Sequence, residues 1–341
     1  MGEYARSLAI ARACQQEWPE AQLHFVLSRQ APYAATLPFP ATLLESSPTF
    51  HTQAVIALMD SFRPTVVVFD NAGRTAQLRA ARRGGARVVY ISARARQRRK
   101  AFRWRWLKLI DEHWIAYPEF IAGSLSFAER FKLKLRPVQI RFLDVILSRS
   151  QNAVNTRPAF APHTFLLMVP GGGTGHPRAR DAVAQFVRAA RTLAAQGVAT
   201  LCVGANEVAS GQPSSGDPNL KCVPSMPQAE LAQLLRDAKL VVANGGSTLL
   251  QAIASAAACI AVPIADDQAQ RIRHCVQAGV AAAAPLDAED IAAAAARLWN
   301  DETQRSALAQ RAGQLRLADG IEVALTGLRR LIENAAQTAV P

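Results

Sequence analysis

Short apolar runs alternate with longer stretches of helical period along most of this chain, and that alternation leaves few folds open. In the first half, residues 23–27 (LHFVL), 65–69 (TVVVF) and 87–91 (RVVYI) read as buried strands, with helical stretches over 52–62 and 75–83 between them. Residues 3–14 (EYARSLAIARAC) carry apolar side chains at helical spacing, and Trp18, Pro19 and Glu20 end that helix. Runs this short with few polar interruptions suit strands buried on both faces, so strand, helix, strand order predicts a parallel sheet covered by helices.

A second series follows, with strands over 164–169 (TFLLMV), 199–203 (ATLCV), 220–223, 240–243 (LVVA) and 259–263 (CIAVP). Helices are expected over 181–196, 229–238 and 248–256, and the remainder reads as helical, ending in 321–336. At 341 residues the chain is too long for one ordinary core. Periodicity weakens over 132–162, where Pro137, Pro158, Pro162 and the polar stretch 148–157 suit a linker. The expected class is α/β, with domains over 1–154 and 155–341. A domain of this sort normally opens with a strand feeding a Gly-rich turn, and here the chain starts at the turn. Either Met1 is an internal start or the first sheet has one strand fewer.

A net charge of +13 attracts anions, whether nucleotide phosphates, nucleic acid or an acidic membrane surface. The five cysteines, Cys14, Cys202, Cys222, Cys259 and Cys275, show no CxxC spacing and read as buried thiols of a reducing compartment. No apolar run approaches the ~20 residues of a membrane-spanning helix. The expected location is therefore the cytoplasm, with peripheral contact to the inner face of the cytoplasmic membrane.

Two turns carry the chemistry. Gly171, Gly172, Gly173 and Thr174 follow one expected strand and precede a helix, so the backbone can approach a ligand and present amides at the helix N-terminus, as phosphate binding requires. The spacing matches neither the dinucleotide fingerprint nor the P-loop, and a merely tight turn is an equal reading. Asn244, Gly245, Gly246, Ser247 and Thr248 repeat the arrangement after a later strand. Parallel strands bring such turns to their common carboxyl edge, where Asp266, Asp267 and Gln268 would also arrive.

The stretch 225–279, from SMPQAELAQLL through VVANGGSTLLQAIA to VPIADDQAQ, resembles the donor-binding half of GT-B glycosyltransferases. Within that superfamily it is similar to the transferase that adds N-acetylglucosamine to lipid I and to the nucleotide-sugar hydrolase of pseudaminic acid synthesis. The resemblance implies two Rossmann-like domains with parallel sheets facing across a cleft. It also implies that Gly245, Gly246 and Ser247 cup a diphosphate, that Gln251 meets the ribose, and that Asp267 and Gln268 meet the sugar. Met226, in the SMPQ that opens the stretch, joins the donor contacts. The family usually has Glu where this chain has Gln251, which bonds a ribose without charge. Where the family has Gly-Leu-Pro before the last strand, this chain has Ala256, Ala257 and Ala258.

The opening GEYARSLA is similar to the Gly-rich loop and helix of the same families, with Glu3 in place of their His. Some transferases of lipid A assembly use a Gly-Glu carboxylate there as base. Glu3 is thus the candidate base and Arg6 a helper at the departing diphosphate, against the reading of Glu3 as a helix N-terminal acid. Asp70, ending the run VVVFD, is another acid within reach.

Residues 92–108 (SARARQRRKAFRWRWLK) are the densest cationic segment, with Arg98, Arg99, Lys100, Arg103 and Arg105 interleaved with Phe102, Trp104 and Trp106. An anionic membrane surface or lipid-linked acceptor, a structural helix, and single-stranded nucleic acid all suit it, nucleic acid least. His113 reads as a packed or capping residue. The combined expectation is a metal-independent hexosyltransferase that takes a sugar from a nucleotide-sugar, UDP-linked by preference, to a cell-envelope or lipid-linked glycan acceptor. The nucleotide-sugar is substrate and no cofactor is expected. A hydrolase or epimerase on the same scaffold, and a non-catalytic membrane- or nucleic-acid-binding protein, are the rivals.

Overall fold

The computed structural model describes residues 2–31, 33–146, 159–171, 179–204 and 217–339. They form two compact units, Met1–Ile146 with Ala318–Pro341, and Leu147–Leu317.

The first unit opens with helix α1 (Gly2–Glu17), then strands β1 (Phe25–Ser28) and β2 (Ala41–Leu44), helix α2 (Thr52–Phe62), strand β3 (Val66–Asp70), helix α3 (Thr75–Arg83) and strand β4 (Arg87–Ser92). Short helices α4 (Ala95–Ala101) and α5 (Trp104–Leu107) lead to β5 (Glu112–Ile115), α6 (Glu119–Ala122), α7 (Phe127–Leu135) and β6 (Gln139–Phe142). β3-β4-β5-β6 make a parallel sheet in sequence order, and β1 pairs with β2 in a separate parallel pair. Alternation along β4 sorts the core into two layers. Val88 and Tyr90 pack with Phe69, Phe102 and Trp106, whereas Val89 and Ile91 pack with Ile10, Cys14 and Trp114.

In the second unit come β7 (Leu166–Val169), α8 (Ala179–Ala195), β8 (Thr200–Val203), β9 (Leu220–Val223), α9 (Gln228–Asp237) and β10 (Leu240–Asn244). They are followed by α10 (Ser247–Ala254), β11 (Cys259–Val262), α11 (Gln268–Gln277), β12 (Ala282–Ala283), α12 (Ala288–Asn300) and α13 (Glu302–Gln314). The six strands are parallel in the order β12-β11-β10-β7-β8-β9. The chain thus builds outward from β7 in one direction, returns, and builds outward from β10 in the other. That reversal opens a crevice at the carboxyl ends of β7 and β10, the place where ligands bind in open α/β sheets.

Helix α14 (Gly320–Ala339) closes the described chain and belongs to the first unit, not to the domain over 155–341 in which its sequence neighbours lie. Ile321, Leu325, Leu328 and Leu331 complete the layer of Ile10, Val89 and Trp114. A buried acid holds the helix down: Glu112, 0% exposed, accepts from Arg141 at 2.7 Å, Arg330 at 2.7 Å and Trp114 Nε1 at 2.6 Å. Gly327 lets the helix approach that close, since a Cβ there would lie 2.6 Å from Glu112 Oε2.

The expected boundary at 154/155 lies outside the described residues. The expected linker over 132–162 is corrected at its front. Residues 127–135 are helix α7, begun by a capping box in which Ser126 and Glu129 exchange hydrogen bonds, and 139–142 are strand β6. Pro137 separates these two elements rather than breaking the domain. The strand expected over 23–27 pairs with β2, not with the main sheet, so the first unit holds two sheets.

Candidate functional site

The reversal in the second unit brings Gly171, at the end of β7, to the Gly turn that follows β10. Gly171 follows β7 at φ +90°, a conformation that favours glycine, and a Cβ there would run into the side-chain amide of Asn244. Asn244 ends β10 at 6% exposure, and its Oδ1 accepts from Gly246 N at 2.7 Å, closing the turn. A Cβ on Gly245 would lie 2.7 Å from Ile272 Cδ1 and 3.0 Å from Gln268 Cβ, so the turn rests directly on α11. Past it, Ser247 is exposed and Thr248 half-buried in the first turn of α10, whose leading amides face the carboxyl edge of the sheet. Gly172, Gly173 and Thr174 lie outside the described residues.

Beneath the turn sits Arg271, 8% exposed, which donates from Nη1 to the Gly245 carbonyl and reaches Asp267 Oδ2 at 3.3 Å. Its buried charge adds to the α10 dipole and makes this edge attractive to anions. The sequence contained a signal for it, an arginine one helical turn after Asp267. Asp267 is itself exposed, while Gln268 is buried and accepts from Ile264 N at 2.9 Å through Oε1. Gln251, 8% exposed, donates from Nε2 to Gln228 Oε1 at 3.0 Å. That bond ties α10 to the start of α9 and to the loop holding half-buried Met226, so Gln228 joins the group that sequence reasoning assembled.

The first unit gathers side chains instead. Glu3 is exposed in the first turn of α1, and Asn71 Nδ2 donates to its Oε1 at 2.7 Å. Asn71, at φ +54° just past β3, accepts in turn from Ala93 N at 2.7 Å, so the end of β4 fixes the amide that fixes Glu3. Arg6 is not free for a ligand: buried at 7% exposure, it grips Asp70 with Nε at 3.1 Å and Nη2 at 2.5 Å, and Ser7 Oγ adds a third bond at 3.0 Å. Burial pushes the Asp70 carboxyl up while Arg6 and Ser7 pull it back. Tyr4 stacks on Tyr33 with ring centroids 3.8 Å apart, roofing this corner.

Much of the basic aromatic segment is interior. Phe102 and Trp106 are 3% and 0% exposed, and Arg98 is buried between Glu129, at 2.8 Å, and the carbonyls of Ala122, Gly123 and Ser124. Lys100 donates to the Gly73 carbonyl at 2.9 Å and lies over the Trp106 ring. Arg99, Arg103, Trp104 and Arg105 remain at the surface. His113 is fully buried against Ser92 Oγ at 2.8 Å, and burial, then the charge of Arg98, push it down to about 3. An imidazole held neutral in this way has no proton to exchange near neutral pH. No helix among the described residues is long and apolar enough to cross a membrane.

A parallel sheet with a strand-order reversal, Gly171 and the Gly245–Gly246 turn at its carboxyl edge, and a second parallel α/β unit in the same chain make a GT-B fold. Solved structures agree over almost the whole chain. It is similar to Phytolacca americana UGT2 complexed with UDP-2fluoro-glucose and pterostilbene, at 13% identity and a TM-score of 0.68 over 98% of this chain and 97% of that one. It is likewise similar to Acinetobacter baumannii MurG, at 13% identity and 0.63 over 95% of both chains. A Listeria monocytogenes protein described as a UDP-N-acetylglucosamine 2-epimerase follows at 12% and 0.57 over 96% and 92%. No family model and no curated protein matches the sequence. At these identities the likeness is one of fold.

Proposed function

We propose that this protein is a glycosyltransferase that takes a sugar from a UDP-linked donor and delivers it to a cell-envelope or lipid-linked glycan precursor at the cytoplasmic face of the membrane. The observation that carries the reading is the meeting of Gly171 and Gly246 across the Asn244 side chain at the reversal of strand order, with Arg271 buried beneath and bonded to the Gly245 carbonyl. Backbone amides and the dipole of α10 would hold the diphosphate, Gln251 and the Met226 loop the nucleoside, and Asp267 and Gln268 the sugar. The same amides and the Arg271 charge stabilise the departing nucleotide, so the proposed step uses no metal. Glu3, oriented by Asn71, takes the acceptor hydroxyl proton as that oxygen bonds to the anomeric carbon and the bond from carbon to diphosphate breaks. Arg6 holds Asp70 in place and has no further part.

Thermal shift and calorimetric titration with UDP, GDP, CMP and dTDP test the reading, because a ligand that binds only the folded state raises its apparent stability. Selective stabilisation by UDP is expected, and a folded chain that responds to none of the four overturns it. A second reading, hydrolase or epimerase, draws on the epimerase neighbour. Product analysis with and without acceptor separates them: turnover of the donor to free or epimerised sugar in the absence of acceptor favours the second.

A further inference from the structure

The apolar surface that residues 92–108 led us to expect lies on the neighbouring helix α7. Phe127, Phe131 and Leu135 are 80%, 51% and 60% exposed, and their spacing of four sets them in one stripe along the helix. The opposite side of α7 is fully engaged: Leu133 packs against the core, Glu129 pairs with Arg98, and Lys132 Nζ donates to the Phe102 carbonyl at 3.1 Å. The outward stripe is therefore not misplaced core. Trp104, 44% exposed, adds an aromatic ring near α7, with Lys132 Nζ 6.0 Å from its centroid.

Cations border this stripe. Arg103, Arg105, Arg130, Lys134 and Arg136 are exposed, and Glu129, the acid of α7, is neutralised by Arg98. We propose that this face docks on an anionic lipid surface, with the two phenylalanines and the leucine entering the boundary between headgroups and acyl chains and the cations meeting lipid phosphates. Charge complementarity selects an anionic occupant. The aliphatic Leu135 and the continuous apolar line select lipid over nucleic acid, which would stack on rings but gains nothing from a leucine. The inference goes beyond the transferase reading and does not depend on it.

Co-sedimentation of the full chain with vesicles of phosphatidylcholine alone, and of equimolar phosphatidylcholine and phosphatidylglycerol, tests it. The chain should sediment with the anionic vesicles and not with the neutral ones. The triple variant Phe127→Ser, Phe131→Ser, Leu135→Ser should keep its melting temperature and lose roughly tenfold or more in partitioning. Arg130→Gln with Lys134→Gln should lose about fivefold per charge removed. Undiminished partitioning of the triple variant overturns the proposal, as does a full chain that ignores the vesicles and retains poly(U).

Discussion

The two units prepare for a ligand by different means. In the second unit the prepared groups are backbone: Gly171 and Gly246 let the chain close on Asn244 from both sides, and the leading amides of α10 need no side chain to aim them. In the first unit the prepared groups are side chains in a relay of hydrogen bonds, from Ala93 through Asn71 to Glu3, with Arg6 and Asp70 locked alongside. A backbone site tolerates drift in the sequence around it while its glycines stand. A side-chain site changes its chemistry with one atom. The first kind suits a constant group such as a diphosphate, and the second suits a base that must match a particular acceptor.

The comparison breaks most completely at Gly245. Gly245→Val sets a branched side chain against Ile272 and Gln268 and should abolish nucleotide binding in calorimetry while the first unit keeps its fold. Retained binding would mean the turn is not the diphosphate seat. Glu3→Gln keeps a partner for Asn71 and removes the proposed base, so kcat should fall by about 100-fold or more with donor affinity unchanged. A fall in affinity alone would move Glu3 to the donor.

Smaller effects test the frame of the first unit. Glu112→Ala leaves Arg141 facing a buried gap and should cost about 3 kcal/mol in urea denaturation without altering nucleotide affinity, less if the half-exposed Arg330 relaxes into water. His113 has a folded pKa depressed from 6.5 to about 3, so the unfolded chain takes its proton first. The stability it contributes is present above pH 6.5 and is lost as pH falls toward 3. At pH 5 this amounts to about 2 kcal/mol, 1.5 units below the unfolded value. Melting curves at pH 7.5 and pH 5 should show that loss in the wild type, and His113→Gln should flatten it.

Strands buried on both faces were legible because nothing polar interrupts their centres, as in RVVYI and LVVAN. β5 was not, since Glu112 and His113 break its apolar run, yet both are 0% exposed, Glu112 held by Arg141 and His113 Nε2 by Ser92 Oγ. The last turn of α7, from Lys132, passed for linker because the large apolar residues of this helix face outward, against the pattern that marks a packed helix. In the basic segment, Arg98, Phe102 and Trp106 recur at intervals of four, the mark of an inward face, and charge obscured it. Of the site, the Gly turns could be read locally. Asn71 could not, because its role depends on Glu3, which only the fold brings near, and of Arg271 only the spacing from Asp267 could be read, not its bond to the Gly245 carbonyl.

The placement of α14 has a consequence for the order in which the molecule can be made. During synthesis the second unit, contiguous in sequence, emerges whole before the segment carrying Ile321, Leu325, Leu328 and Leu331 leaves the ribosome. Until then the layer of Ile10, Val89, Ile91 and Trp114 has no cover from that side and Glu112 lacks Arg330. The part of the chain translated first is therefore the last to mature, and a nascent chain stalled before residue 318 would display a sticky half-finished sheet beside a completed neighbour, a natural target for chaperones.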